Sequence, residues 1–251
     1  AASARLTLAT QNGSEGSRQV LRLHRLRKLN ADIPTLLLDA DADPKIVEQI
    51  RPGTAYARVS VAPKAKVVQA VDRTLSNAWL LDKSRGKDRM DRVLRIVRRE
   101  VEGASPGRVL LVATKDVLHA LHAQATGIAP RSPEDLLEPL LGAHPRWFGP
   151  RLQGVNDYED FDTVLLVGRL QPPVEEVERC ARCVFGDADP PLFPIERPIF
   201  PRRPARRVLK DGSRAVVKIS DHPDARASAM LRQMREYASL QAIARLRLVA
   251  P

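Results

Sequence analysis

The chain has 251 residues, 43% of them hydrophobic and only 4% aromatic, which allows one large domain or one domain with part of another. No apolar run approaches the roughly 18 residues of a membrane span, and the first residues lack the apolar middle of a signal peptide, so we expect no membrane partner and a cytoplasmic location. The net charge of +11 favours an anionic partner, above all nucleic acid or a nucleotide.

Arginine supplies most of this charge, in runs such as RLHRLRK, RVLRIVRRE and PRRPARRVLK. A guanidinium can hold phosphate oxygens through two parallel hydrogen bonds, which a lysine cannot do. A coding bias that places arginine on solvated surfaces would produce the same composition, and this alternative stays open. The chain opens with Ala1, so we expect it to be a fragment or a processed product.

Short Leu- and Val-rich runs, bounded by polar or turn residues, predict buried parallel strands at 33–41, 55–62, 107–115 and 161–169. Helical patterns alternate with them at 44–50 and 88–103. In the longer helix one apolar stripe is formed by Met90, Val93, Leu94, Val97 and Val101. This alternation predicts an open, mostly parallel α/β sheet with helices on both faces.

The carboxyl-terminal part of the chain does not continue this alternation of strands and helices. Residues 186–206 are rich in proline and predict a surface excursion or insertion. Asp211 and Gly212, between two alternating runs, predict a β-hairpin over 206–220. One or two terminal helices follow over 222–249, and Pro223 and Asp224 suit the first turn.

Some acidic residues and the two cysteines are possible metal ligands, but each group also has a purely structural interpretation. Asp39, Asp41 and Asp43 at the end of a predicted strand could hold Mg²⁺, yet the chain has no G-x-x-x-x-G-K-[ST] loop, and Asp43 before Pro44 is typical of a helix cap. The single C-x-x-C pair at 180 and 183 lacks a second pair for zinc and indicates a half-buried helix stripe.

Two segments place polar groups where a strand ends or begins. LLVATK turns from a strand into a helix, so Thr114 and Lys115 could bind phosphate at a helix amino terminus, or simply cap the helix and face solvent. The loop PRWFGPRLQGVN carries Arg151, Gly154 and Asn156. Its aromatic residues at 147 and 148 could stack on a base, but anchoring the loop is the favoured role.

The final run EYASLQAIARLRLVAP places Gln241 and Arg245 four residues apart, so that they share one helix face and could reach one ligand. A core-edge interpretation, with Leu240, Ile243 and Leu246 packed inward, also fits the helical spacing.

In their order, the segments DAD, VATK, GVN, VLLVGR and QAIARLR resemble the second RecA-like lobe of a superfamily 2 helicase, with the tail of the first lobe attached. More narrowly, the chain is similar to helicase-like replication proteins of phages, plasmids and other bacterial mobile elements. The resemblance implies an incomplete first lobe at 1–52 and a second RecA-like lobe at 53–251, with the proline-rich insertion at about 186–206.

The resemblance also implies roles for single residues. It makes Arg245 the arginine finger, supported by Gln241 and Arg247, although Ala244 replaces the usual glycine and Arg247 comes one position early, which leaves the identity of the finger open. Coupling of ATP to nucleic acid is implied for Gly154, Asn156, Asp39 and Asp41, and contact with the nucleic-acid backbone for Thr114, Lys115 and Arg151.

The function expected from this resemblance is that of the carboxyl-terminal motor lobe of an ATP-dependent DNA helicase or translocase. ATP and Mg²⁺ would be bound mainly by a first lobe with a P-loop, and the chain alone would not hydrolyse ATP. DNA is favoured over RNA as the partner. The alternative is a non-catalytic nucleic-acid-binding replication protein on a RecA-like scaffold.

Overall fold

The computed structural model describes residues 5–13, 16–30, 32–39, 42–57, 59, 64–70, 75–149, 152, 157–208 and 211–246. Their helices and strands follow in chain order: β1 (Leu6–Gly13), β2 (Gly16–Leu23), α1 (Pro44–Ile50), α2 (Asn77–Leu80), α3 (Gly86–Ala104), β3 (Val109–Ala113), α4 (Lys115–Thr126), a 3-10 turn (Asp135–Leu137), β4 (His144–Trp147), β5 (Thr163–Leu166), α5 (Val174–Phe185), β6 (Arg202–Val208), β7 (Arg214–Ser220) and α6 (Ala225–Ala244).

The chain divides into two compact units. The first unit comprises residues 1–58 and 172–234, and the second unit comprises residues 59–171 and 235–251. Helix α6 contributes to both. The assignment of residues 1–52 and 53–251 to two RecA-like lobes stays a prediction. Among the described residues, no helix is long and apolar enough to cross a bilayer.

The second unit is built on a three-stranded parallel sheet in the order β4-β3-β5. Every residue of the central strand β3 is buried, because both faces of the sheet are covered. On one face Val109 and Leu111 pack with α3 and α4, and on the other Leu110 and Val112 pack with the end of α6. The predicted mixed α/β class with a parallel sheet flanked by helices is therefore confirmed.

Amphipathic spacing explains the covering helices. The predicted stripe of α3 is confirmed, since Met90, Val93, Leu94 and Val97 are buried and Val101 packs against the same cluster. Helix α6 covers the second face with small residues: Ala238 and Ala242 contribute to the core there, together with Leu246 just beyond the helix. Leu240, predicted at a core edge, is 46% exposed.

The first unit holds two antiparallel hairpins, β1-β2 and β6-β7, with α1, α5 and the first part of α6. Its core joins Val174, Val177 and Ala181 of α5 to Ala227 and Leu231 of α6. Both cysteines lie half-buried on α5, as the half-buried stripe predicted.

Aspartate side chains cap the starts of α1 and α6, of which only the first cap was predicted. Asp43 precedes α1, and its carboxylate accepts a hydrogen bond from the Lys45 amide at 2.9 Å, which confirms the cap interpretation. Asp224 precedes α6 and accepts from the Arg226 amide at 2.9 Å. Pro223 and Asp224, expected in the first turn, therefore precede the helix, because the Asp224 carboxylate acts as its cap.

Two predicted strands are wrong. The described part of 33–41, residues 33–39, is not a strand, and Leu36 and Leu38 are 80% and 85% exposed. In 55–62, the described residues 55–57 and 59 are not in a strand either, and Val59 is 84% exposed. A short apolar run becomes a strand only when a neighbouring strand pairs with its backbone groups, and sequence cannot supply that partner.

Three further elements differ from expectation. Residues 145–147, expected in a loop, belong to the edge strand β4, where Pro145 is tolerated because one side of the strand needs no partner. Hairpin β6-β7 is confirmed but begins at Arg202, inside the expected proline-rich excursion. Hairpin β1-β2 was not predicted, although alternating LTLAT and RQVLRL flank its turn.

Candidate functional site at the carboxyl edge of the parallel sheet

The three parallel strands end at one edge of the sheet, where ligands of open α/β folds usually bind. Backbone bonds hold the strand ends together: the Phe148 amide donates to the Ala113 carbonyl at 3.2 Å, and the Val167 amide donates to the Val112 carbonyl at 2.8 Å. The first residues after β3, β4 and β5 therefore share this edge. We call it the carboxyl edge.

Thr114 follows β3 and does not cap α4 with its side chain. Its hydroxyl instead donates to Oδ1 of Asn77 at 3.0 Å, and Asn77 opens α2. The segment before α2 thus lies at the ends of the strands. Since the Thr114 side chain is engaged elsewhere, the amides of the first turn of α4 keep their hydrogen-bonding capacity for another acceptor.

Gly168 follows β5 and fits closely beneath the same segment. Its φ is +75°, and a Cβ there would lie 2.9 Å from the Leu75 carbonyl oxygen. Leu75 itself has a φ of +46°, a conformation that costs a non-glycine residue about 1–2 kcal/mol. A close backbone approach and a strained residue thus meet at this edge, which is a common arrangement at ligand sites.

Lys115 opens α4 at the carboxyl edge and is exposed. Its Nζ lies 4.9 Å from the centroid of the Trp147 ring, the last residue of β4. This cation–π contact positions the ammonium group without neutralising its charge. The neighbouring Phe148 is buried in the core, so it anchors the loop as predicted, whereas Trp147 both packs at the core and holds the lysine.

Sequence reasoning missed a cluster of two arginines around one carboxylate. Arg235, only 3% exposed, donates from Nε to Oε1 of Glu236 at 2.8 Å. A guanidinium nitrogen of Arg169, three residues beyond β5, lies 3.8 Å from the same oxygen. Burial, and then the positive charge of Arg235, lowers the pKa of Arg169. The two guanidinium groups and the one carboxylate of this cluster together carry a charge of +1.

One member of this cluster belongs to a recognisable sequence run. Arg169 ends the run VLLVGR, which contributed to the family resemblance, but its carboxylate partner lies 67 residues later along the chain (236 − 169). Arg235 and Glu236 looked like ordinary helix residues. Only the packing of α6 against the sheet brings them to Arg169.

Gln241 and Arg245 lie in the second unit, beside the buried positions Ala242 and Leu246. Both are partly exposed, so either can contact a ligand while the adjacent residues pack on the sheet. Helix α6 ends at Ala244, and Arg245 occupies the turn that follows.

The other predicted site residues divide into two groups. Asp39 belongs to the first unit and lies in an exposed segment that is not a strand, so its expected place at a strand end is wrong. The remaining candidates, Asp41, Arg151, Gly154, Asn156 and Arg247, lie outside the described residues.

A cavity of about 660 Å³ lies in the first unit, whereas Thr114, Lys115, Gln241 and Arg245 belong to the second. His24 and Cys183 line it, with Sγ 3.8 Å from Nδ1, and Nε2 of His24 lies 2.8 Å from the Thr7 hydroxyl. Burial and four neighbouring arginines lower the pKa of His24. The two residues are 159 positions apart in the chain, so no local sequence pattern indicates this contact.

Within the described part of the chain, no group of three or more His, Cys, Asp or Glu side chains lies close enough together to hold a metal ion. The charged groups at the carboxyl edge suit an anion. Comparison of the chain with family models, with curated proteins and with solved structures found no match.

Proposed function

We propose that the chain is the carboxyl-terminal motor lobe of an ATP-dependent DNA helicase or translocase, which acts together with a first lobe that carries a P-loop. The observation that supports this best is that cationic and polar groups follow the ends of the parallel strands: Thr114, bound to Asn77, and Lys115, held on Trp147, follow β3, and Arg169 follows β5. Phosphates of nucleic acid or nucleotide are the ligands that this chemistry favours.

In this proposal Lys115 and the amides of the first turn of α4, which follows Thr114, contact the nucleic-acid backbone, and Arg151 adds a further contact. Such contacts grip a strand without reading its bases, because phosphates carry no sequence information. Gly154 and Asn156 transmit the state of the nucleotide to that grip. The exposed Lys115 can make a phosphate contact without first breaking an ion pair to a carboxylate among the described residues.

Arg245 is proposed as the arginine finger, with Gln241 and Arg247 as its supports. Both Gln241 and Arg245 are partly exposed, so a ligand can reach them. Their side chains carry N–H donors, which can bond to the phosphate oxygens of ATP. Hydrolysis of bound ATP would supply the free energy for movement along the strand. Mg²⁺ would be held by the first lobe. A guanidinium brought to the γ-phosphate only when the lobes close stabilises charge that develops during phosphoryl transfer.

The test is Arg245→Ala in the protein that joins this chain to a P-loop lobe. Because an arginine finger contributes about 10³-fold or more to turnover, we expect DNA-stimulated ATP hydrolysis to collapse by that order while ATP binding stays near normal. Arg232→Ala is the matched control: it removes a half-exposed arginine from within α6 and should leave turnover near normal.

Unchanged turnover in Arg245→Ala would overturn the finger assignment. Should the protein bind DNA with salt-dependent affinity but neither bind nor hydrolyse ATP, the motor proposal is wrong and the non-catalytic nucleic-acid-binding protein is the correct interpretation.

A further inference from the structure

The hairpin β6-β7 forms a two-stranded sheet of its own in the first unit. Register fixes which side chains share a face: Arg202 pairs with Ser220, Pro204 with Lys218, Arg206 with Val216 and Val208 with Arg214. Side chains directly opposite each other in an antiparallel pair point to the same face, so these eight residues form one face. We call it the ribbon face.

The ribbon face points outward. Seven of its eight residues are exposed, with Val208 at 73% and Val216 at 69%, and only Ser220 is intermediate. On the opposite face Ala205, Ala215 and Ile219 are each partly buried. That opposite face, and an ion pair between Arg203 and Asp221, anchor the hairpin to its unit. The hairpin is therefore attached through its opposite face, and the register of the two strands fixes the order of the side chains on the ribbon face.

Four cations occupy the ribbon face, one at each successive level of cross-strand pairs: Arg202, then Lys218, then Arg206, then Arg214. Because a strand rises about 3.3 Å per residue, successive levels lie about 7 Å apart. The charges thus form a zigzag line about 20 Å long. Such a line is similar in spacing to the phosphates along an extended nucleic-acid strand.

No carboxylate interrupts this line. The strand sequences RRPARRV and RAVVKIS contain six cationic residues and no acidic residue. The hairpin strands thus carry a charge of +6 in a chain whose net charge is +11. Among the described residues, none of the four cations of the ribbon face forms an ion pair with a carboxylate. Asp211 at the turn is engaged by Ser213, whose hydroxyl donates to it at 2.6 Å.

We propose that the ribbon face binds the backbone of single-stranded DNA without sequence preference. Its four cations would contact successive phosphates. The two exposed valines, which lie opposite Arg206 and Arg214, would contact the sugars and unstacked bases of the strand, which a duplex does not offer on its phosphate side. The inference rests on the proposed function only in its choice of DNA as the partner class, and it adds a second binding surface to the carboxyl edge.

The test compares two variants with the same change in net charge. The ribbon variant carries R202Q, R206Q, R214Q and K218Q. The control carries K87Q, R92Q, R95Q and R98Q, which remove one lysine and three arginines from exposed positions of α3. Fluorescence anisotropy with a labelled single strand of mixed sequence, measured over a series of salt concentrations, gives the affinity and its salt dependence.

We expect the ribbon variant to lose at least about tenfold in affinity, and the slope of log K against log salt to fall by up to about 3, since each phosphate contact to a single strand contributes about 0.7. The control variant should lose much less in both. If the fourfold ribbon variant fails to fold, the pairs R202Q/R206Q and R214Q/K218Q are compared with K87Q/R92Q, and each pair should lower the slope by about 1.4.

Wild-type affinity and slope in the ribbon variant, or equal losses in both variants, would overturn the inference and leave the motor proposal intact. A labelled duplex is measured in the same assay. If the ribbon variant loses affinity for the duplex but not for the single strand, the choice of a single strand is overturned. A wild-type chain without any salt-dependent binding would overturn both proposals, whereas failure of the Arg245 test alone leaves the ribbon result standing.

Discussion

Gly168 illustrates how a single residue shapes the carboxyl edge. Its positive φ places the chain after β5 against the Leu75 carbonyl, so that the segment before α2 can lie over the strand ends and Asn77 can reach Thr114. A side chain at this position would meet backbone, which cannot move aside as the end of a flexible side chain can. The polar geometry of the edge therefore depends on a residue that carries no functional group.

Gly168→Ala should destabilise the second unit by about 2–4 kcal/mol, from the positive φ and from the close contact with backbone. Gly127→Ala is the matched control, because its φ of +74° is nearly identical and nothing lies within 4 Å of the added Cβ. That variant should lose only about 1–2 kcal/mol. Urea unfolding measures both, and equal losses would contradict the close approach.

At the scale of elements, periodicity explains the helices well and the strands poorly. Helix α3 needs only its own spacing to form one apolar face, which then packs on whatever sheet is present. Strands need a partner. The run 107–115 became β3 because β4 and β5 flank it, whereas the apolar residues of 33–39 are exposed and form no ladder.

Val97→Ala in α3 should lower the free energy of unfolding by about 2–3 kcal/mol, because Val97 is fully buried between helix and sheet and its truncation leaves a cavity. The adjacent Ile96 is 41% exposed, and Ile96→Ala should cost less than about 1 kcal/mol. Thermal or urea unfolding of the two variants provides the comparison. A larger loss for Ile96→Ala would show that the helix packs through a different face.

At the scale of the whole molecule, burial and positive charge act together on the histidines. Besides the net charge of +11, arginines are among the causes that lower the pKa of His24 and His144, and burial is the main cause for both. Burial is also the main cause that lowers the pKa of His122, which is 6% exposed. The folded chain thus resists protonation of three histidines.

This resistance predicts a loss of stability in mild acid. Because the folded-state pKa of His122 lies below its ordinary value near 6.5, the unfolded chain binds the proton first, and the free energy of unfolding falls as the pH drops from 7.5 to 5. His122→Gln should lose less over this range than the wild type. His119→Gln, an exposed position on the same helix, provides the comparison.

Urea unfolding at the two pH values measures the difference. A fall as steep in His122→Gln as in the wild type, or a rise of stability towards pH 5, would contradict burial of a neutral imidazole as the cause.

The sequence alone determined the amphipathic helices, the Asp43 cap, the Asp211-Gly212 turn and the excess of arginine, because each depends on neighbouring residues or on composition. It also indicated Thr114 and Lys115, since a strand that turns directly into a helix is a local pattern.

Tertiary structure decided the rest. It chose which apolar runs have a pairing strand, brought Arg169 to Glu236 and Asn77 to Thr114, and turned one face of the β6-β7 ribbon outward. These outcomes join residues far apart in the chain, and their free energy comes from packing and pairing that no local pattern encodes.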